Sequence, residues 1–198
     1  MESDKAEQIK QEGNKLFKQG KYQEALEKYE EANKMNPSEI TYYLNMAGCH
    51  HELKNYDKVI ENCQYVVDNT FNFEKKAKAY GRMGFAYQEK NDWVSAIQCF
   101  EKSLLEAKDQ RIKEALRNAE VTKRKKDEEA YLNPELAEEA NNKGNELFKK
   151  HEFVEALKQY VEAVKRDPTK AKYFSNRAAC YIKLMSLNEA LIDCEKAL

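Results

Sequence analysis

The chain has 198 residues, of which 41% are hydrophobic and 35% are charged, and it contains few Gly and Pro residues. This composition is typical of a helix-rich protein with room for one or two domains and a core. The formal net charge of −1 argues against a general attraction to nucleic acid or to an anionic membrane, and no apolar run is long enough to span a bilayer.

One local pattern recurs five times, in copies that begin at residues 6, 40, 77, 137 and 171. The eighth position of each copy holds a small residue, and these residues are Gly13, Ala47, Gly84, Gly144 and Ala178. By subtraction their spacings are 34, 37, 60 and 34 residues. A period near 34 is the signature of the tetratricopeptide (TPR) helix-turn-helix repeat. We therefore predict an all-α fold, in which antiparallel helix pairs stack into a superhelix with a concave groove.

The first three repeats are followed by a charged stretch, residues 109–131, whose apolar residues are sparse. We predict a capping helix here, because the last repeat of an array otherwise exposes its apolar side. Three residues are inserted between the second and third repeats, around residues 69–73, and predict either a longer turn or extra helix. Residues 1–132 are thus predicted to form one peptide-binding domain of three repeats plus a cap.

A second array is predicted over residues 133–198. Asn133 followed by Pro134 predicts an N-cap with proline at the first helical position. The array stops within the second helix of its second repeat, although about three repeats are needed for stability. We therefore expect the sequence to be a piece of a longer protein. Its last helices would fray or pair with another copy, so the oligomeric state stays open.

Four of the five cysteines fall at equivalent repeat positions, Cys49 with Cys180 and Cys63 with Cys194. This recurrence favours small buried hydrophobic residues over disulfides, and it favours a reducing, cytoplasmic location.

Features of enzymes and metal proteins are missing from the sequence. His50 and His51 are adjacent, so on a helix they point about 100° apart, and no further ligand has suitable spacing. The glycines are isolated rather than grouped in a phosphate-binding loop, and no nucleophile and base are suitably arranged. We expect no catalytic residue, no metal and no cofactor.

A stripe of residues on the first helix of each repeat is predicted to face the groove, opposite the packing stripe. In the first three repeats it carries Lys10, Asn14, Asn45, Lys78 and Arg82. Lys offers a point charge, Arg a fork of donors and Asn an amide donor, so together they predict a carboxylate site. Any one of them alone would more often be solvated surface decoration. The whole set favours binding.

These five residues, within Lys-Gln-Glu-Gly-Asn at 10–14 and Lys-Ala-Tyr-Gly-Arg at 78–82, resemble the dicarboxylate clamp of chaperone-binding TPR domains. The resemblance implies binding of the C-terminal Glu-Glu-Val-Asp peptide of heat shock protein 90 or heat shock protein 70. Residues 130–134, 142–146 and 175–181 resemble the Hsp70/Hsp90-organising (stress-inducible phosphoprotein) co-chaperones in their central domain and the start of the next. This likeness covers essentially the whole chain and implies a preference for the heat shock protein 90 tail.

The same resemblance implies that Phe17, Thr41 and Glu52 line the groove beside the clamp. Phe85 stands where the family often has Asn, so we expect an apolar contact in place of a polar one.

In the second array, Asn145 and Asn176 match clamp positions and form a partial second clamp. Asn141 stands in the place of the clamp lysine, which puts an independent second peptide site in question.

We therefore predict a non-enzymatic co-chaperone adaptor. One alternative is the TPR targeting region of a chaperone-associated enzyme, such as an immunophilin or a protein phosphatase; the second array directly after the first argues against it. Another is a solenoid without a ligand, against which the groove cations argue.

Overall fold

A computed structural model describes residues 2–198, which form eleven α-helices and no β-strand. The predicted all-α class is confirmed. In chain order the helices are α1 (Glu2–Lys18), α2 (Tyr22–Met35), α3 (Thr41–Glu52), α4 (Tyr56–Asn69), α5 (Phe73–Glu89), α6 (Trp93–Glu106), α7 (Gln110–Tyr131), α8 (Pro134–Lys149), α9 (Phe153–Arg166), α10 (Ala171–Lys183) and α11 (Leu187–Lys196).

The helices form two compact units. The first extends to Arg124 and contains α1 to α6 with the first part of α7, and the second comprises Lys125–Leu198. At the end of α7, the Tyr131 hydroxyl donates to Glu162 Oε1 at 2.5 Å and the Arg166 guanidinium lies 4.4 Å from the Tyr131 ring. These contacts fix the end of α7 within the second unit. The predicted domain boundary at residues 132 and 133 stays a prediction.

Several helices begin with a side-chain cap. The Asn133 side chain accepts from the Leu136 N–H at 3.0 Å and Pro134 follows it, which confirms the predicted N-cap. Asn72 caps α5 in the same way, through the Lys75 N–H at 2.8 Å. Because α5 begins at Phe73, the three inserted residues lengthen this helix rather than the turn before it.

The turn inside every repeat has one geometry. The residue with a left-handed backbone is Gly20, Lys54, Asn91, His151 or Met185, with φ between 60° and 78°. In the first repeat the Gly20 N–H bonds to Phe17 O at 3.0 Å and the Lys21 N–H to Leu16 O at 3.0 Å, and the other four turns repeat this pair of bonds. This is the Schellman motif, which satisfies the last carbonyls of a helix while reversing the chain.

Close helix crossing explains the small residue at the eighth position. A Cβ on Gly84 would lie 2.4 Å from Phe100 Cε1, so only Gly lets α5 and α6 approach with that ring between them. Gly13 and Gly144 face the rings of Tyr29 and Tyr160 in the same way, so at all three eighth-position glycines an aromatic ring occupies the space of a Cβ.

The cysteines follow the packing, with one correction. Cys49, Cys63 and Cys180 are buried as predicted, Cys99 is also buried, and Cys194 is exposed. The prediction was wrong for Cys194 because α11 is the last helix described and its outer face, including Leu191 at 62% exposure, has no helix packed against it.

The described residues show neither a membrane span nor a metal-binding group. No helix there combines the length and apolar character that crossing a membrane requires. Nor does that part of the chain gather three or more His, Cys, Asp or Glu side chains in a metal-binding group.

Candidate peptide-binding groove

The predicted groove face of α1 forms a continuous polar network. Lys10 Nζ lies 2.6 Å from Glu7 Oε2, and Gln11 Nε2 donates to Glu7 Oε1 at 2.8 Å. Asn14 Nδ2 in turn donates to Gln11 Oε1 at 3.3 Å. Hydrogen bonds from Lys10 and Gln11 lower the pKa of the Glu7 carboxyl. Lys10 therefore forms an ion pair within its own helix, which a ligand carboxylate would have to share or replace.

Asn14 is oriented from behind by Tyr29. The Tyr29 hydroxyl donates to Asn14 Oδ1 at 2.8 Å, which leaves the amide NH₂ of Asn14 to face away from α2. Burial raises the pKa of Tyr29 to about 12, although the Arg82 charge opposes that rise. Tyr29 consequently remains a hydrogen-bond donor at neutral pH.

Arg82 crosses from α5 to α3. Its guanidinium donates to the backbone carbonyl of Leu44 and lies against Gly48, where a Cβ would be 2.7 Å from Arg82 Nη1. That same point is 3.6 Å from Phe17 Cε2, so the structure brings Phe17 of α1 to the Arg82 site. Gly48 was missed by the sequence reasoning. The sequence did offer one signal: Gly48 lies on the groove stripe of the second repeat, and Arg82 lies on that of the third.

The charge of Arg82 acts on several helices at once. Burial raises the pKa of the Cys49 and Cys63 thiols to about 12 in each case, and Arg82 opposes both shifts. Arg82 likewise opposes the rise in the pKa of Tyr29, so its charge acts on groups of α2, α3 and α4. No ion pair is found for Arg82 among residues 4–198, whose side chains the structure describes. Arg82 is thus a partly buried cation that no described carboxylate neutralises.

Asn45 and Lys78 complete the predicted set without internal partners. Asn45 is partly buried on α3, and Lys78 is exposed on α5, one turn before Arg82. Among the described side chains neither forms a hydrogen bond or an ion pair. Both remain available to a ligand.

Thr41 and Glu52, which the resemblance places beside the clamp, differ in their hydrogen bonding. Thr41 begins α3 and its hydroxyl donates to Glu39 Oε1 at 2.5 Å, so its hydroxyl proton is already used. Glu52 is exposed at the end of α3, with Oε1 3.7 Å from His51 Nδ1, and within the described residues it bonds to none of the clamp residues.

Phe85 lies between two partners. Its ring packs edge-on against Phe100, with centroids 5.1 Å apart, and the Arg111 guanidinium lies 5.0 Å from its centroid. Phe85 thus makes an apolar contact where the family often has Asn, and it also contacts a further cation, Arg111.

In the second unit, the partial clamp forms a closed amide network. Asn176 Nδ2 donates to Asn141 Oδ1 at 2.8 Å and to Asn145 Oδ1 at 3.3 Å, and the Tyr160 hydroxyl donates to Asn145 Oδ1 at 2.9 Å. Asn141 is 3% exposed. A surface cavity of about 230 Å³ adjoins Asn145 and Asn176. Both amide hydrogens of Asn176 are occupied internally, and among the described residues the one cation that lines this cavity is Lys149, which is not a clamp position.

Comparison with known proteins places this groove in context. A TPR-repeat family model matches residues 13–54. The chain is 43% identical over 159 residues to the Hsp70-Hsp90 organising protein of Plasmodium falciparum, covering 78% of the chain and 28% of that protein. It is 40% identical over 187 residues to Stress-induced-phosphoprotein 1 of Caenorhabditis elegans, covering 92% and 58%. The chain therefore spans only part of the length of these relatives.

A solved structure is similar over almost the whole chain. The TPR2AB-domain:pHSP90 complex of yeast Sti1 superimposes with a TM-score of 0.89 at 38% identity, and the match covers 98% of this chain and 76% of that one. The predicted tetratricopeptide fold is confirmed by this likeness.

Proposed function

The chain belongs to the family of Hsp70-Hsp90 organising proteins, and on that premise we propose that its first unit is an adaptor that binds the acidic C-terminal peptide of a heat shock protein 90 chaperone. In this proposal the chain contributes binding and no catalysis, needs no cofactor and works in the cytoplasm. Support comes from the Sti1 complex, whose partner is described as pHSP90, and from the cationic groove of the first unit.

The observation that carries the proposal is the state of Arg82. The guanidinium is held by the Leu44 carbonyl over Gly48, and no carboxylate within the described chain neutralises it. A carboxylate that reaches Arg82 gains charge-assisted hydrogen bonds without forcing this side chain to give up an ion pair.

The five residues would contact different parts of the peptide. Lys10, Asn14 and Asn45 would hold the terminal carboxylate and the last Asp side chain, while Lys78 and Arg82 would hold an upstream acidic residue or its backbone. Hydrogen bonds to charged groups contribute about 1.5–3 kcal/mol each, and ordering a short peptide offsets much of the sum. We expect a dissociation constant of about 1 μM.

Calorimetric titration tests the proposal directly. The probes are a peptide ending in Met-Glu-Glu-Val-Asp and the same peptide with a C-terminal amide. Lys78→Ala and Arg82→Ala should each weaken binding of the free-acid peptide about tenfold, because each removes a charged contact. Lys58→Ala is the matched control, since Lys58 pairs with Glu61 on α4 at 2.7 Å.

Two outcomes would contradict the proposal. One is equal affinity for the acid and the amide, which would mean that the free carboxylate is not bound. The other is unchanged affinity in both Lys78→Ala and Arg82→Ala, with helicity retained by circular dichroism. A parallel titration with the heat shock protein 70 tail establishes which of the two chaperones is preferred.

A further inference from the structure

We infer that Arg111, on the first turn of α7, extends the peptide site by binding an acidic side chain upstream of the residue held by Lys78 and Arg82. The inference rests on the proposed function and adds a specificity-determining residue to it. None of the five clamp positions includes Arg111, because it lies outside the repeats, at the start of the capping helix.

The position of Arg111 is fixed by Phe85. Phe85 follows Arg82 by one helical turn on α5 and therefore lies on the same stripe. Its ring is held edge-on against Phe100 at an interplanar angle of 68°, and the Arg111 guanidinium lies 5.0 Å from the ring centroid. The cation is thus brought from α7 to the third-repeat wall of the groove.

Contact with Phe85 does not occupy the donors of Arg111. A cation is attracted to the face of an aromatic ring electrostatically, which leaves the guanidinium N–H groups free to donate to a ligand. Arg111 is exposed, and within residues 4–198 no carboxylate approaches it within 4.0 Å.

The two acidic residues nearest to Arg111 in sequence have other partners. Asp109 Oδ1 accepts the backbone N–H groups of Arg111 and Ile112, at 2.8 and 3.3 Å. Glu114 Oε1 accepts from Gln110 Nε2 at 3.0 Å. Neither carboxylate neutralises the guanidinium in the structure, so a ligand carboxylate meets an uncompensated charge.

Distance along the groove identifies which part of the peptide Arg111 meets. One helical turn from Arg82 to Phe85 is about 5 Å along α5. An extended peptide covers that distance in about one to two residues, at roughly 3.3 Å each. With the first Glu of the Glu-Glu-Val-Asp tetrad at Arg82, the occupant is an acidic residue one or two positions upstream of that tetrad. A continuous acidic peptide fits better than an isolated anion, because Lys78, Arg82 and Arg111 follow one another along a single wall.

The test is a set of titrations at low ionic strength with two peptides. Both end in Glu-Glu-Val-Asp; one carries two Asp immediately before this tetrad and the other carries two Ser. Arg111→Ala should weaken the Asp peptide about two- to fivefold and leave the Ser peptide within a factor of about 1.5, as for an exposed ion pair. Arg117→Ala is the matched control, because Arg117 is an exposed arginine on another face of α7.

The outcomes separate this inference from the function on which it rests. If Arg111→Ala affects both peptides equally, or neither, while Lys78→Ala still weakens both, the inference is wrong and the clamp stands. If the wild-type chain binds neither peptide, the proposed function fails, and the inference fails with it. Arg111→Lys adds a readout of stacking: it keeps the charge but should recover only part of the preference for Asp.

Discussion

At the scale of single residues, burial divides the five cysteines into two chemical classes. Burial raises the pKa of Cys49 and Cys63 to about 12 and that of Cys99 to about 11, and it also raises the pKa of Cys180. Since the thiolate is the reactive species, these four thiols are inert in the folded protein. Cys194 on α11 is exposed.

Thiol labelling should therefore detect one fast cysteine. We expect the folded chain at pH 8 to react promptly with one equivalent of a disulfide reagent, and with the remaining thiols only after unfolding in denaturant. Cys194→Ser should abolish the fast phase, and Cys63→Ser should leave it unchanged. Two fast thiols in the folded chain, or a fast phase that survives Cys194→Ser, would show that the four packing positions open more readily than their burial indicates.

The candidate site could be read from the sequence only in part, for a reason that also lies at the residue scale. Repeat numbering alone assigned Arg82 and Asn14 to one stripe, because helix periodicity decides which residues share a face. It could not show that Arg82 reaches across to Gly48, since that contact joins side chains of two different repeats. Glu7 was also missed as a partner of Lys10, because an acidic residue beside a cation is normal on any solvated helix.

At the scale of helices and turns, the repeat imposes one backbone geometry on different residue types. All five turns inside repeats have a left-handed residue, but only the first uses glycine, at Gly20. Lys54, His151 and Met185 adopt φ of 60°, 62° and 60°. In a residue with a Cβ this conformation causes steric strain, whereas glycine adopts it without strain. These turns could not be located from composition, because packing of the two helices overrides the local preference.

Glycine at these positions should stabilise the fold. We expect Met185→Gly and Lys54→Gly each to raise the free energy of unfolding, by up to about 1 kcal/mol, since relief of strain exceeds the added freedom of the unfolded chain. The measurement is urea unfolding followed by circular dichroism. Gln64→Gly, at an exposed position in the interior of α4, is the control and should instead destabilise by about 1 kcal/mol. Destabilisation by both turn substitutions would show that the left-handed conformation carries no strain.

At the scale of the whole molecule, the two units present grooves of different charge. The first carries Lys10, Lys78, Arg82 and Arg111, whereas the second has Asn141 where the first has Lys10. Asn141 is buried and bonded to Asn176 at 2.8 Å, so it cannot replace the missing cation. Both units thus share the repeat fold, but we expect only the first to bind a carboxylate with appreciable affinity.

Binding stoichiometry tests this asymmetry with a pair of equivalent asparagines. Each accepts a hydrogen bond from a tyrosine hydroxyl, Asn14 from Tyr29 at 2.8 Å and Asn145 from Tyr160 at 2.9 Å, so the two share this contact. We expect one acidic peptide per chain. Asn14→Ala should weaken it about tenfold, as for a hydrogen bond to a charged group, and Asn145→Ala should leave it unchanged. Raising the salt concentration should weaken the single site, because exposed charges are screened. Two equivalents of peptide per chain, or equal losses in the two variants, would mean that the amide network of the second unit also binds carboxylates and that the lysine at position 10 is not what distinguishes the units.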